Sequence, residues 1–298
     1  MTLNTDNGAP APTYPHTADL TVLSPSLEAL VDEIVASGLS RDMFGRALDA
    51  GMTEVTAVLR TVPAAEGKLL ERGIALIAGR NPDLVVLTQN LRLPVTRAAS
   101  ELVEMNDPAL YRSLSLDADS GGRKTYTPDL LIVNRRTDVA HLVDVKRSLG
   151  SYELSRIAEL KNRMLAAALV VPDLLYKEHR RLRAKEVRVV ILNAENQRAD
   201  IDGGVWPLSH LDHLLEVDGA GEAMAHLREL FQRRVEENWS AALAGRRHVA
   251  SVANAGGDAG KAPTLHCDDD DVCGSDSGRI SRLPVSIGFA RAPRAASP

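Results

Sequence analysis

The chain has 298 residues, of which 44% are hydrophobic and 25% charged, and its formal net charge is −5. This composition is ordinary for a globular protein of one or two domains, and the net charge does not by itself indicate nucleic-acid binding. Two cysteines give no basis for a disulfide framework, no apolar stretch reaches transmembrane length, and the N-terminus lacks a signal peptide, so we expect a cytoplasmic protein without a membrane partner.

The N-terminal part is predicted to be helical after a disordered start. Residues 1–17 are rich in Pro, Ala and Thr, which predicts disorder. Residues 18–62 are predicted to form a helical extension, because apolar residues recur there at helical spacing. Within this extension we expect Ser26, Ser40 and Thr53 to cap three successive helices.

Residues 63–200 are predicted to form an α/β core. Its elements are apolar runs separated by Pro, Gly or polar turns: a helix at 64–79 after a break at Pro63, a β-rich segment at 84–95, strands at 125–134 and 139–148, a helical region at 152–183 broken near Pro172, and a buried strand at 186–195. This order predicts a mixed central sheet flanked by helices. C-terminal helices are expected at 201–245 and a disordered tail at 246–298.

The two strands around the polar turn at 135–138 bring three charged residues together. With the turn centred between Arg136 and Thr137, residues whose numbers sum to 273 face each other, so Asp129 lies opposite Asp144. Opposed residues point to one face of the sheet, with Cβ atoms roughly 4.5–5.5 Å apart. Lys146 is two residues beyond Asp144 and shares that face. A register slip by one residue would separate the two aspartates.

Apolar residues surround these charges on both strands, so both faces of the hairpin are expected to be covered. Two carboxylates held together in such a place repel each other and lose water, which is costly unless a proton or a cation joins them. A hard divalent cation such as Mg²⁺ suits this position, because it prefers carboxylate, carbonyl and water oxygens. The neighbouring lysine can orient a water molecule or steady a phosphate oxygen.

The motif Pro128-Asp129, fourteen intervening residues and Asp144-Val145-Lys146 resembles the PD-(D/E)xK signature of restriction-endonuclease-like nucleases. The resemblance covers the predicted core from its first helix to its last strand. It implies a restriction-endonuclease-like α/β fold, with the element order αβββαβ and a central mixed sheet. It also implies that the two acids and the carbonyl of Val145 bind Mg²⁺ or Mn²⁺, and that Lys146 assists the attacking water.

The family also uses a glutamate on its first core helix, for which this chain offers Glu66 and Glu71. The segment from Gly67 to Glu71 is similar to the G-x-x-x-E segment of junction-resolvase-like members, so we expect Glu71 to join the catalytic and metal-binding set. A solvated glutamate is the alternative. On the helix after the D-x-K motif, the resemblance makes Arg156 and Lys161 the candidates for phosphate contacts, although a solvated helix face also accounts for both.

The charge distribution bears on the partner. Residues 123–188 contain 15 Lys and Arg against 8 Asp and Glu, an excess of 7 positive charges. Such a basic segment is compatible with a surface that tracks phosphates, and equally with an ordinary solvated helix. The resemblance predicts a metal-dependent nuclease that hydrolyses phosphodiester bonds, with DNA as partner, and it allows a homodimer. The alternative is a non-catalytic DNA-binding or regulatory protein that keeps the fold.

Two further patterns favour structural explanations. Ala47, Gly51 and Met52 have the spacing of a helix-turn-helix unit, but the segment carries few positive charges, which favours helix packing over DNA binding. His210 and His213 are three residues apart without a convincing third ligand. We therefore expect these two histidines to be surface or capping residues.

Overall fold

The structure is a computed structural model that describes residues 14–88, 91–107, 111, 114–118, 124–179, 182–195, 199–253 and 286–290. The helices are α1 (Leu20–Ala36), α2 (Arg41–Ala50), α3 (Met52–Ala78), α4 (Arg97–Met105), α5 (Leu154–Ala168), α6 (Val171–Glu178), α7 (Leu211–Leu215) and α8 (Ala220–Ala253). The strands are β1 (His16–Thr17), β2 (Leu84–Leu87), β3 (Leu93–Val95), β4 (Lys124–Tyr126), β5 (Leu130–Asn134), β6 (Val139–Lys146), β7 (Glu186–Asn193), β8 (Val205–Pro207), β9 (Val217–Asp218) and β10 (Ser286–Phe289).

The central sheet is mixed. Strands β2, β5, β6 and β7 lie side by side in that order, with β2, β5 and β6 antiparallel and β6 parallel to β7. Strand β10 pairs with the first half of β7 and β8 with the second half, both in parallel. Both β6 and β7 are buried along most of their length, as expected of strands covered on both faces. The predicted α/β class, a mixed central sheet flanked by helices, is confirmed.

Helices cover both faces of this sheet. Helices α1, α2, α3, α7 and α8 pack on one face, in a core that includes Leu69, Leu130 and Met224. Helices α4, α5 and α6 pack on the other, in a core that includes Leu131 and Met164. Consecutive residues of β5 enter different cores because strand side chains alternate between faces. We call these two cores the α3 layer and the α5 layer.

The predicted register of the central hairpin is confirmed. Strand β5 pairs with β6 so that Leu130 faces Val143 and Leu131 faces Leu142, which keeps the sum of 273. The turn between them is stabilised by Asn134, whose side-chain oxygen accepts hydrogen bonds from two turn amides at 2.9 and 3.1 Å. A polar turn between two apolar strands therefore sets the register that the site depends on.

The first helix differs from the prediction. It begins at Leu20 rather than after Ser26, because the Asp19 side chain accepts a hydrogen bond from the Thr21 amide at 2.8 Å and caps it. Pro25 lies inside the helix. The second predicted cap is confirmed, since the Ser40 hydroxyl accepts a hydrogen bond from the Met43 amide at 3.3 Å.

Helix α3 also differs from the prediction, since Thr53 caps no helix and Pro63 does not break the chain. The helix starts after Gly51, whose φ of 107° only glycine adopts readily, and it runs through Pro63 to Ala78. A proline inside a helix costs about 3 kcal/mol. Burial of apolar residues from Val58 to Ala78 in the α3 layer offsets that cost.

Several predicted boundaries are corrected by pairing between distant segments. The β-rich segment at 84–95 is divided between β2 and β3, and the strand at 125–134 between β4 and β5, because β3 and β4 pair in a small separate sheet. The predicted C-terminal helical region at 201–245 also contains β8 and β9.

The predicted disordered ends are partly ordered. Within 1–17, β1 pairs with β9, and within 246–298, α8 continues to Ala253 and β10 joins the sheet. Residues 1–13, 254–285 and 291–298 lie outside the described part. Among the helices described here, none has the length and apolar character needed to cross a membrane.

Candidate metal-binding active site

Asp144 and Lys146 lie at the carboxyl end of β6, on the face covered by the α5 layer. They are two residues apart, so the period of the strand points both side chains the same way. Asp144 is buried, with 4% of its surface exposed, and the Lys146 ammonium forms an ion pair with Asp144 Oδ1. The sequence predicted this shared face, and the pairing shows that the two side chains converge.

The two oxygens of Asp144 have different surroundings. Oδ2 accepts a hydrogen bond of 2.7 Å from the hydroxyl of Tyr126. Oδ1 is buried, and among the described residues its partner is the Lys146 ammonium, which offsets its charge. A buried carboxylate oxygen requires a positive partner, which Lys146 supplies here, and a divalent cation at the same oxygen would share that role, so Oδ1 is a candidate ligand atom.

Asp129 immediately precedes β5, and continuing the hairpin register places it opposite Asp144. Its Oδ2 accepts a hydrogen bond of 2.6 Å from the main-chain amide of Val145. Burial and the charge of Asp144 raise the pKa of Asp129, although the Val145 amide and Lys146 act in the opposite direction. In each aspartate, Oδ2 thus accepts a hydrogen bond from the protein. The two acids repel each other at the end of the hairpin.

The orientation of the Val145 carbonyl follows from the hydrogen bonds of the strand. The next carbonyl, that of Lys146, accepts a hydrogen bond of 2.9 Å from the Ala194 amide, after the end of β7. Successive carbonyls of a strand point to opposite sides, whereas the N–H and C=O of one residue point to the same side. The Val145 carbonyl therefore faces the side of Asp129, where its own amide already bonds.

Glu71 of α3 belongs to the same group of charges. Its pKa is raised from 4.5 to about 7, mainly by burial and next by the charge of Asp129, with Lys146 opposing and Asp144 reinforcing the shift. Burial is the larger cause, and the three charges act on Glu71 from the end of the hairpin. Glu66 has a different role, because its Oε1 accepts a hydrogen bond of 2.8 Å from Arg228. Of the two glutamates, Glu71 is therefore the one whose pKa is raised by the charges of the two aspartates, whereas Glu66 pairs with Arg228.

Lys146 is held in its charged form by these acids. Burial alone would lower its pKa, but the charge and hydrogen bonding of Asp144 and the charge of Asp129 outweigh burial and raise the pKa. One ammonium faces three carboxyl groups, so the group has an excess of negative charge when all are ionised. A proton on Glu71 or a bound divalent cation relieves this excess.

The available ligand atoms suit an open Mg²⁺ site that keeps water ligands, rather than a site closed by protein ligands alone. Within the described ranges, no three or more His, Cys, Asp or Glu side chains are already arranged as a metal site. Mg²⁺ usually keeps several waters and takes one or two carboxylates. Asp129, Asp144 and the Val145 carbonyl supply hard oxygen atoms of that kind, with Asp144 Oδ1 paired to the Lys146 ammonium. These residues fit the cation that the sequence predicted, with Glu71 nearby.

The two basic residues predicted to contact phosphate lie in different surroundings on α5. Arg156 is exposed and makes no ion pair with any described residue. Lys161 instead pairs with Asp200 Oδ2 at 3.1 Å and lies 5.5 Å from the centre of the Phe289 ring. Five residues along a helix correspond to about 140° of net rotation, so the two side chains leave different faces. The pairing with Asp200 favours a structural role for Lys161, and the phosphate contacts of Lys161 and Arg156 both stay predictions.

The sequence analysis missed Tyr126. In one continuous strand from 125 to 134, Tyr126 and Asp129 would point to opposite faces, so nothing singled out the tyrosine. The chain leaves β4 after Tyr126 and enters β5 only at Leu130, which breaks that alternation. The neighbours Thr125 and Thr127 are polar, so nothing in the sequence indicated that the tyrosine is buried beside the acids.

The histidine pair does not form a second metal site in the described structure. The hydroxyl of Tyr14 is 2.7 Å from His213 Nδ1, and the rings of His210 and His213 are 5.5 Å apart. Burial and the neighbouring His213 lower the pKa of His210. These contacts tie the N-terminal segment to the region around α7.

Comparison with protein-family models, with curated proteins and with solved structures finds no match to this chain. The interpretation of the site therefore rests on its own geometry and charge. Two opposed aspartates, a lysine paired with one of them and a glutamate with a raised pKa meet at one end of a buried sheet.

Proposed function

We propose that this chain is a Mg²⁺-dependent nuclease that hydrolyses phosphodiester bonds in DNA, with a core of the restriction-endonuclease-like PD-(D/E)xK type. The main support is the convergence of Asp129, Asp144 and Lys146 at the end of the central hairpin, where the two acids repel each other and Lys146 pairs with Asp144 Oδ1. The order α3, β2, β5, β6, α5, β7 agrees with the αβββαβ order of that family, with β3, α4 and β4 as an insertion.

The chemistry follows from what each residue can do. Asp144 Oδ1, the second oxygen of Asp129 and the Val145 carbonyl are the atoms that would hold Mg²⁺. When bound, the cation would activate a water molecule and offset the charge that develops on the phosphate. The Lys146 ammonium is placed to donate a hydrogen bond to a phosphate oxygen or to the attacking water.

Glu71 has a distinct part in this proposal. Its pKa of about 7 in the metal-free protein means that it exchanges a proton near neutral pH. A carboxylate of this kind can accept a proton from water or join the metal ligands when ionised. Arg156 is exposed on the helix that follows the D-x-K motif and is proposed to contact the DNA backbone.

The proposal is tested by cleavage assays on the purified chain. Linear duplex, supercoiled, branched and single-stranded DNA are each incubated with Mg²⁺, Mn²⁺ or EDTA. We expect cleavage that requires Mg²⁺ or Mn²⁺ and that falls by about 100-fold or more in Asp144→Asn. The matched control is Asp138→Asn, an acid in the turn of the same hairpin that pairs with Lys185. Asp138→Asn is expected to cut as the wild type does.

Two outcomes would contradict the proposal. Cleavage that survives Asp144→Asn would place the activity elsewhere or in a contaminant. Tight, salt-sensitive DNA binding without metal-dependent cleavage would instead favour a binding or regulatory protein that retains the fold.

A further inference from the structure

The hydroxyl of Tyr126 is the protein donor that fixes the buried end of the proposed site. Tyr126 is the last residue of β4, and only 6% of its surface is exposed. Its hydroxyl donates a hydrogen bond of 2.7 Å to Asp144 Oδ2, and this bond is buried. Burial and the Asp144 charge raise the pKa of Tyr126, so the hydroxyl keeps the proton that it donates.

This hydrogen bond restricts how the Asp144 carboxylate can turn. The last torsion of an aspartate side chain is broad, so an unrestrained carboxylate samples many orientations. Fixing Oδ2 against Tyr126 also fixes the direction of Oδ1, which is the oxygen paired with Lys146. Asp129 is restrained in the same manner by the Val145 amide. Both acids are therefore held through Oδ2.

Tyr126, the hydrogen-bond donor, lies on β4, which is outside the αβββαβ element order proposed for the core. Tyr126 faces Leu93 across the small sheet formed by β3 and β4. The small sheet of β3 and β4 therefore supplies the side chain that orients Asp144. The inserted β3–α4–β4 segment is therefore coupled to the geometry of the site through this hydrogen bond.

We propose that Tyr126 is a positioning residue for the divalent cation, acting through Asp144 by holding its carboxylate so that Oδ1 is presented as a ligand. The inference rests on the proposed metal-dependent function. Partners that orient metal ligands typically contribute 10- to 100-fold in metal affinity. A purely structural tyrosine would affect folding and leave metal affinity unchanged.

The chain contains a matched control for this distinction. Tyr111 is also fully buried in the α5 layer, and its hydroxyl donates to main-chain carbonyls, including that of Asn106 at 2.7 Å. Tyr111→Phe and Tyr126→Phe each remove one buried hydroxyl and keep the ring. Only Tyr126→Phe removes a contact to Asp144.

The experiment measures Mn²⁺ binding to the full chain by isothermal titration and electron paramagnetic resonance, together with melting temperature and metal-dependent cleavage. We expect Tyr126→Phe to weaken Mn²⁺ binding by about 10-fold or more. We also expect a matching rise in the Mn²⁺ concentration for half-maximal cleavage, and recovery of most of kcat at saturating metal. Tyr111→Phe should bind Mn²⁺ as the wild type does, with a comparable shift in melting temperature.

The outcomes separate this inference from the function on which it rests. If the wild type binds Mn²⁺ and cleaves DNA while Tyr126→Phe binds Mn²⁺ with unchanged affinity, the positioning role is overturned and the nuclease proposal stands. If the wild type binds no divalent cation, both are overturned. Equal losses of metal affinity in Tyr126→Phe and Tyr111→Phe would also refute the role, because they would indicate a general effect of lost core hydroxyls.

Discussion

The raised pKa of Glu71 predicts an unusual dependence of stability on pH for the metal-free protein. The pKa of this carboxyl rises from 4.5 to about 7 on folding, so the folded state binds the proton more tightly than the unfolded state does. Glu71 is therefore neutral in both states at low pH, and it opposes folding once the pH passes 4.5. That penalty grows until the pH exceeds about 7, which is the reverse of the behaviour of a salt-bridged carboxylate.

The magnitude can be worked from the shift. A change of 2.5 pKa units, from 4.5 to about 7, corresponds to about 3 kcal/mol at 1.36 kcal/mol per unit. Glu71 is only half-buried, so solvent screens part of this energy, and we expect a destabilisation of ~1–2 kcal/mol. The perturbation is Glu71→Gln, which removes the ionisation and keeps the shape. The unfolding free energy of the variant, relative to that of the wild type, should therefore rise by ~1–2 kcal/mol from pH 5 to pH 8.

The assay is urea unfolding in EDTA, followed by circular dichroism at pH 5, 6, 7 and 8. The measured quantity is the difference in unfolding free energy between wild type and Glu71→Gln at each pH. Glu54→Gln, an exposed glutamate on the same helix, is the control and should give a difference that changes little with pH. A difference for Glu71→Gln that stays constant from pH 5 to pH 8 would refute the reasoning, because burial and the charge of Asp129 would then not raise the pKa of this carboxyl.

The remaining predictions concern metal, DNA, and Arg156 and Lys161 of α5. Mg²⁺ or Mn²⁺ at 100 times its dissociation constant should stabilise the wild type by about 2.7 kcal/mol, and Asp144→Asn should abolish this shift in melting temperature. Lys146→Met should lower metal-dependent cleavage by about 100-fold while DNA binding in Ca²⁺, measured by fluorescence anisotropy, is retained. Arg156→Ala should weaken DNA binding and reduce its salt dependence by about one unit of slope. Lys161→Ala should leave DNA binding unchanged and cost at most about 1 kcal/mol of stability, because this lysine is paired with Asp200.

The central part of the site was predictable because local rules determine it. A polar turn between two apolar strands fixes the hairpin register, and the two-residue period of a strand then places Asp129, Asp144 and Lys146 together. The elements of the sheet were also predictable, since apolar runs such as that of β7 mark buried strands.

Other features depend on contacts between distant segments and could not be predicted. Helix α3 continues through Pro63 because its apolar face is buried in the α3 layer, which overrides the local preference of proline. The strand β10 forms because the edge of β7 is available to it. Lys161 pairs with Asp200, and Tyr126 reaches Asp144, through the packing of elements that are separated in the chain.

The most direct test of the account is a crystal of the wild-type chain grown or soaked with Mn²⁺ and measured for anomalous scattering. We expect one strong anomalous peak at about 2.1–2.2 Å from carboxylate oxygens of Asp129 and Asp144 and from the Val145 carbonyl, with Lys146 beside it. The same crystals of Asp144→Asn should lack the peak. A fully occupied Mn²⁺ bound elsewhere, or none in a protein that cleaves DNA only with Mn²⁺, would contradict the assignment of these residues as the metal site.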